Sequence, residues 1–124
     1  MRTLLIVDDS AAFRRQIRTL LTGEGFDVVG EAATGATALV ACRELRPHLI
    51  LLDIGLPDVD GFDLADQLMH ETTGDPEERV VVLTSSREAT TYRARLQRTA
   101  ATGFIPKDEL SGQAIDALLA ARSA

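Results

Sequence analysis

One unbroken apolar run, residues 49–52, limits what this chain can fold into more than any other stretch. The run Leu-Ile-Leu-Leu is followed directly by a carboxylate, Asp53, and then by a turn that contains Gly55 and Pro57. The run is too short for a typical helix, and its turn signals predict a strand buried on both faces, as in a parallel sheet. An ionised carboxylate beside buried apolar groups is costly unless something compensates it, so Asp53 is a candidate functional residue.

The rest of the sequence alternates strand and helix patterns. Strand patterns cover residues 3–7, 27–32, 49–53, 80–84 and 102–106, and helix patterns cover residues 12–22, 35–46, 64–69, 87–99 and 110–119. A polar loop is expected at residues 72–78. This alternation predicts an α/β domain in which helices cover both faces of a five-stranded parallel sheet, joined by right-handed crossovers.

Composition limits the class of protein. The 124 residues, 45% of them hydrophobic, suit one globular domain with its own core. A formal net charge of -6 disfavours non-specific nucleic-acid binding. No apolar run is long enough for membrane insertion and no signal peptide is evident, so we expect a cytoplasmic protein. The single cysteine, Cys42, lies in line with apolar residues of the second helix, Ala38, Leu39 and Leu45, which predicts burial in the core.

Polar residues follow four of the predicted strands at their carboxyl ends. In open parallel sheets, ligands bind beyond these ends, at the point where strand order reverses. The residues that reach this edge are Asp8, Asp9, Asp53, Thr84 and Lys107. Three carboxylates at one edge repel one another unless a cation intervenes, and a small set of anionic oxygen ligands suits Mg²⁺. We therefore predict a Mg²⁺ site there.

A divalent cation beside an aspartate and a lysine suits phosphoryl transfer. Asp53 is the candidate nucleophile, because a carboxylate can form an aspartyl phosphate. In this interpretation Asp9 binds the metal directly, and Asp8 acts through coordinated water. The Lys107 ammonium and the Thr84 hydroxyl each bind a phosphoryl oxygen. Each residue alone also fits an ordinary turn, a helix cap or a solvated charge, so the hypothesis depends on their combination.

With these residues assembled, the chain resembles the CheY-like receiver domain of two-component response regulators over residues 1–124. The motifs that match in order and spacing are Val7-Asp8-Asp9-Ser10, Leu51-Leu52-Asp53-Ile54-Gly55-Leu56-Pro57-Asp58-Val59-Asp60-Gly61, Val82-Leu83-Thr84-Ser85 and Gly103-Phe104-Ile105-Pro106-Lys107. The resemblance implies a flavodoxin-like fold with strand order 2-1-3-4-5. It also implies phosphorylation of Asp53 by a sensor histidine kinase or phosphotransfer protein, with Mg²⁺ held by Asp9, Asp53 and the backbone carbonyl of Gly55.

The resemblance also implies a two-state switch. On phosphorylation, Thr84 is expected to move toward the phosphoryl group, and Phe104 to swing inward into the vacated space. The face built from the fourth helix, the fifth strand and the fifth helix would then change its affinity for a downstream protein. A homodimer is also compatible with such a face. No direct nucleic-acid contact is expected, and no catalysis beyond the domain's own phosphorylation and dephosphorylation.

Two positions depart from the family pattern. Many receivers have a proline with a cis bond directly after the rim lysine, but here Asp108 follows Lys107, which leaves the loop geometry open. Gly55 and Ser86 occupy positions that tune self-dephosphorylation in the family, and both are small.

Several alternatives stay open at this stage. A pseudo-receiver would bind partners without phosphorylation, and the chain could be a stand-alone regulator or a receiver excised from a DNA-binding response regulator. A haloacid-dehalogenase-like phosphatase and a flavodoxin-type FMN module fit less well, because Asp8 and Asp9 are adjacent and occupy the first loop. The four arginines of the fourth helix pattern form either a docking surface for an acidic partner or an ordinary solvated face; they are Arg87, Arg93, Arg95 and Arg98.

Overall fold

The computed structural model describes residues 2–71 and 79–123. In these ranges five parallel strands form one sheet in the order β2-β1-β3-β4-β5. The strands are β1 (Thr3–Val7), β2 (Asp27–Ala32), β3 (Leu49–Asp53), β4 (Val80–Ser85) and β5 (Gly103–Pro106). The predicted flavodoxin-like fold and its strand order are confirmed. The polar loop predicted at residues 72–78 lies outside the described residues.

Helices connect the strands. They are α1 (Ala11–Gly23), α2 (Gly35–Leu45), α3 (Gly61–His70), α4 (Arg93–Leu96) and α5 (Gly112–Ser123). Polar side chains cap the first three, because the first N–H groups of a helix have no partner within it. Ser10 accepts from the N–H of Phe13 at 3.2 Å, and Asp60 accepts from the N–H of Phe62 at 2.8 Å. None of the described helices has the length and apolar character needed to cross a membrane.

The fourth helix differs from the prediction. Residues 87–99 were predicted as one helix, but the structure has a 3₁₀ turn over Ala89–Tyr92 followed by a single α-helical turn, α4. Neither piece contains a buried residue. Most of the stability of a short helix comes from packing an apolar face. Because no residue of this segment is fully buried, little packing energy is available to extend the helix.

The core forms two layers, one on each face of the sheet. Alternate residues of the central strands point to opposite faces: Leu5, Ile50 and Leu52 contribute to the layer under α2 and α3, whereas Leu4 and Leu51 contribute to the layer under α1 and α5. All five side chains are at most 2% exposed. The apolar runs therefore form strands buried on both faces, as predicted.

Of the α2 residues that the sequence aligned with Cys42, Leu45 is exposed. Cys42 is 2% exposed, as predicted, and burial raises the pKa of its thiol to about 11. Leu45 is 44% exposed, because it ends α2 and lies over the edge strand near Gly30 rather than over the centre of the sheet. Leu20 of α1 is 40% exposed, while its neighbour Leu21 is fully buried, so the apolar stripe of this helix is narrow.

Candidate functional site at the carboxyl edge of the sheet

Asp8 follows β1, and both its backbone and its carboxylate are fixed by contacts with other residues. Only 1% of the residue is exposed. Its Oδ1 accepts from the backbone N–H of Ser10 at 2.8 Å, and its own N–H donates to the carbonyl of Ala32 at 3.0 Å. Its Oδ2 accepts no hydrogen bond from the described part of the chain but lies 2.6 Å from Nζ of Lys107. Asp8 is thus a fixed, buried carboxylate with one oxygen directed at a cation.

Asp53 ends β3 in the centre of the sheet and is 7% exposed. Its Oδ1 accepts from the N–H of Gly55 at 3.2 Å, and its Oδ2 lies 3.6 Å from Nζ of Lys107. Thr84 is its register partner on β4. The second oxygen of Asp53 therefore lies at the same edge of the sheet as Asp8.

The structure brings the predicted acidic residues together. Asp8, Asp9 and Asp53 each offer a carboxylate oxygen, and these three atoms lie within 4.8 Å of one another. Asp9 is exposed, unlike the other two. Three anionic oxygens this close require cations, and Lys107 supplies one positive charge. The donor set fits Mg²⁺, which prefers carboxylate oxygens and retains part of its water shell.

The charged groups at this edge of the sheet shift one another's pKa values. Burial raises the pKa of Asp53, the N–H of Gly55 lowers it, and the charge of Asp8 raises it further, so the net shift is upward. Burial lowers the pKa of Lys107, but the carboxylates of Asp8 and Asp53 outweigh burial and raise it. Lys107 is therefore firmly cationic, and a further cation would favour the charged form of Asp53.

Lys107 lies at the end of β5, in a 3₁₀ turn over Lys107–Glu109. The peptide bond that joins it to Asp108 is trans, which settles the loop geometry that the sequence left open. Its ammonium also lies 4.5 Å from the centre of the Phe13 ring on α1, within cation–π distance. The sequence pattern gave no sign of this contact, because Phe13 and Lys107 lie far apart along the chain.

The predicted switch residues lie beside an aromatic cluster. Thr84 is 2% exposed and Phe104 on β5 is half-buried. The ring of Tyr92 lies between those of Phe62 and Phe104, with centroid distances of 5.7 Å and 6.1 Å. The hydroxyl of Tyr92 is 3.2 Å from Oγ of Ser85, directly after Thr84. Sequence reasoning missed Tyr92, although a lone tyrosine in an arginine-rich segment was a usable signal.

The four arginines of the 87–98 segment are not equivalent. Arg95 makes ion pairs at 2.6 Å and 3.0 Å with the carboxylate of Asp60, and its guanidinium carbon lies 4.5 Å from the centre of the Phe62 ring. Arg95 therefore joins α4 to the start of α3. The proposed docking role of this arginine group stays a prediction.

Comparisons with known proteins agree with this geometry. The sequence matches the family model of the response regulator receiver domain over residues 4–119. BvgA of Bordetella pertussis, whose name designates a transcription regulator of virulence factors, is 37% identical over 114 residues, which are 92% of this chain and 53% of BvgA. The chemotaxis protein CheY of Thermotoga maritima is 28% identical over 117 residues, 94% of each chain.

A solved structure supports the same fold. A LuxR-family two-component response regulator from Aurantimonas sp. SI85-9A1 matches with a TM-score of 0.83 at 24% identity, over 98% of this chain and 86% of that one. The present chain spans about half the length of BvgA and nearly all of CheY. The motifs, the strand order and the family match agree, and the chain belongs to the response regulator receiver domain family of two-component signal transduction.

Proposed function

We propose that this receiver domain, taken as residues 1–124, is a phosphoacceptor: Asp53 accepts a phosphoryl group from a phosphohistidine of a sensor histidine kinase or phosphotransfer protein. The observation that carries the proposal is the convergence of three carboxylate oxygens within 4.8 Å of one another, beside a lysine ammonium 3.6 Å from Asp53. Asp8, Asp9, Asp53 and the carbonyl of Gly55 would hold Mg²⁺. When bound, the metal neutralises charge on the carboxylates and the transferred group.

The transfer forms one bond and breaks one. A carboxylate oxygen of Asp53 attacks phosphorus, and the bond between phosphorus and the donor imidazole nitrogen breaks. The electron pair of that bond goes to the imidazole, which leaves the site. Asp53 then carries the phosphoryl group as an acyl phosphate, and hydrolysis by water later returns the carboxylate and inorganic phosphate.

The surrounding residues orient and stabilise this exchange. The N–H of Gly55 fixes one oxygen of Asp53 and leaves the other, on the Lys107 side, as the nucleophile. The Lys107 ammonium then shifts away from the carboxylates and binds one phosphoryl oxygen. The Thr84 hydroxyl donates a hydrogen bond to another phosphoryl oxygen. Gly55 and Ser86 are both exposed, and neither residue has a bulky side chain, so the path of hydrolytic water to the site stays open.

Phosphorylation then changes the partner surface. Thr84 moves toward the phosphoryl group, and Phe104 takes a more buried position in the space that Thr84 leaves. Because the rings of Tyr92 and Phe104 are in contact, this motion reaches the start of α4. The face formed by α4, β5 and α5 then gains or loses affinity for a downstream protein or a second copy of the chain.

The output of this switch is proposed to be transcriptional. BvgA is named as a transcription regulator, and the similarity to it covers 92% of this chain. The receiver would therefore control a transcription factor module, either linked to it or separate from it.

The experiment is intact mass spectrometry after incubation with Mg²⁺ and a small phosphoramidate donor. We expect a mass gain of one phosphoryl group that requires Mg²⁺ and disappears in Asp53→Asn. Asp63→Asn is the matched control, because this carboxylate is 79% exposed. If the parent gains no mass under conditions that label another receiver, and an NMR titration shows no Mg²⁺ binding, the proposal is wrong and a pseudo-receiver is favoured.

A further inference from the structure

The backbone of Asp8 receives a contact from a side chain outside the acidic site. Its carbonyl oxygen accepts from Nη1 of Arg14 on α1 at 2.5 Å. This carbonyl belongs to the peptide group that joins Asp8 to Asp9, so the guanidinium fixes the plane of that group. The side chain of Asp9 makes no hydrogen bond or ion pair within the described ranges. The position of the Asp9 carboxylate therefore depends on its backbone.

Arg14 is itself held in place by β2. Its Nε lies 3.0 Å from Oε1 of Glu31, and its side chain is 17% exposed. Arg18, one helical turn later, lies 2.6 Å from the other oxygen of Glu31, but its remaining contact is the carbonyl of Val28 at 3.1 Å. The two arginines thus share one carboxylate, and only Arg14 contacts the acidic site.

We propose that Arg14 is a positioning residue for the metal site: it orients the Asp8–Asp9 peptide so that the Asp9 carboxylate converges with that of Asp53. This inference rests on the proposed Mg²⁺ site. The positive charge of Arg14 acts in the opposite direction, because a cation near the site repels Mg²⁺. Loss of positioning therefore weakens Mg²⁺ binding, whereas loss of charge tightens it.

Positioning dominates for two reasons. Glu31 neutralises part of the field of Arg14, since Nε of Arg14 and Oε1 of Glu31 are 3.0 Å apart, and loss of either arginine changes the charge of this group equally. By contrast, groups that orient metal ligands typically change metal affinity by about 10–100-fold. The sign of the change in Mg²⁺ affinity thus separates the two effects.

The test is the Mg²⁺ dissociation constant, measured at fixed ionic strength by NMR titration of backbone amide signals near Asp9 and Gly55. We expect Arg14→Gln to weaken Mg²⁺ binding by about tenfold, at the low end for a group that orients metal ligands. Arg18→Gln removes the same charge from the same carboxylate and should leave the dissociation constant unchanged. Arg14→Lys, which keeps the charge and one donor to the Asp8 carbonyl, should recover part of the affinity.

The outcomes that overturn the inference are specific. Unchanged or tighter Mg²⁺ binding in Arg14→Gln contradicts it, as does an equal loss in Arg18→Gln. If Arg14→Gln does not fold, Glu31→Ala removes the acceptor that holds the Arg14 side chain and leaves the arginine in place, and an unchanged dissociation constant in that variant also contradicts the inference. If the parent itself binds no Mg²⁺, the failure lies with the proposed phosphoacceptor function instead.

Discussion

The ammonium of Lys107 lies 2.6 Å from Oδ2 of Asp8, an oxygen that accepts no hydrogen bond from any residue the structure describes. Asp8 is 1% exposed, whereas the Lys107 side chain is 21% exposed. A buried, ionised carboxylate is strongly destabilised unless a cation compensates its charge. Lys107 therefore has a structural role in addition to its proposed contact with the phosphoryl group.

Replacing Lys107 by methionine tests that role. In the absence of Mg²⁺, we expect Lys107→Met to lower the free energy of unfolding by on the order of 3 kcal/mol, because it leaves a buried carboxylate unpaired. Added Mg²⁺ should restore part of the loss by supplying another cation. Urea denaturation with and without Mg²⁺ measures both effects. Arg15→Met, at an exposed position of α1, is the control, and equal stability of the two variants would contradict the prediction.

The Asp53→Asn variant should be more stable than the parent when no Mg²⁺ is present. Asp53 has a raised pKa in the folded state, so its ionised form at pH 7 is less favourable in the fold than in the unfolded chain. Removing the charge should add on the order of 1 kcal/mol to the free energy of unfolding. The amide oxygen can still accept from the N–H of Gly55. Saturating Mg²⁺ should narrow or reverse the difference, and a less stable variant in metal-free buffer would count against this account.

Gly61 begins α3 directly behind the end of β3, the strand that carries Asp53. A Cβ at this position would lie 2.5 Å from Cα of Ile54 and 2.8 Å from the carbonyl oxygen of Asp53, both of which are backbone atoms. We expect Gly61→Ala to cost roughly 2–3 kcal/mol in thermal or urea unfolding, as an overpacked site does. Gly23→Ala is the matched control, because no described atom beyond its chain neighbours and the adjacent backbone of its own helix lies within 4 Å of its Cβ position. Similar stability of the two variants would show that the β3–α3 turn can adjust.

The ion pair between Asp60 and Arg95 should make stability depend on pH. Burial raises the pKa of Asp60, but Arg95 and two backbone N–H groups lower it by more, so its folded pKa lies below the ordinary value. The stabilisation is therefore present above the unfolded pKa of about 3.9 and is lost as pH falls through the lower folded pKa.

The variant Asp60→Asn keeps a capping side chain for α3 and removes the charge. At pH 7 it should be less stable by about 0.5–1 kcal/mol, a value reduced for the exposure of the pair. The difference should stay constant down to about pH 5 and close below about pH 4. Urea denaturation across this range measures it. Asp63→Asn, 3.7 Å from Arg95 and largely exposed, should show a smaller difference at every pH.

Much of the fold could be predicted because its signals are local. The apolar runs before Asp53 and Thr84 lie in strands buried on both faces, and each ends with its polar residue at the carboxyl edge. Strand order then brings Asp8, Asp53 and Lys107 together, as the alternation of strands and helices indicated. Their roles in phosphoryl transfer stay predictions until the mass and titration experiments are done.

The features that the sequence did not reveal depend on contacts between distant segments. Arg14 contacts Glu31, 17 residues away, and Arg95 contacts Asp60, 35 residues away. The helix patterns gave no information about the partners of either arginine. The shortened fourth helix has a similar cause, since helix length there depends on tertiary packing, which a pattern of single residues does not encode.

The one-turn α4 determines how easily the proposed partner face of α4, β5 and α5 can be remodelled. Its closing hydrogen bond, from the N–H of Gln97 to the carbonyl of Arg93, is 3.3 Å long, and neither α4 nor the 3₁₀ turn before it contains a buried residue. Opening this segment breaks few backbone hydrogen bonds and separates two partly buried apolar side chains, Tyr92 and Leu96, from the core, so its local free energy of opening is below that of the sheet, whose central strands β3 and β4 are buried along their whole length. We therefore expect a partner that binds this surface to be able to reshape it while the acidic site stays folded.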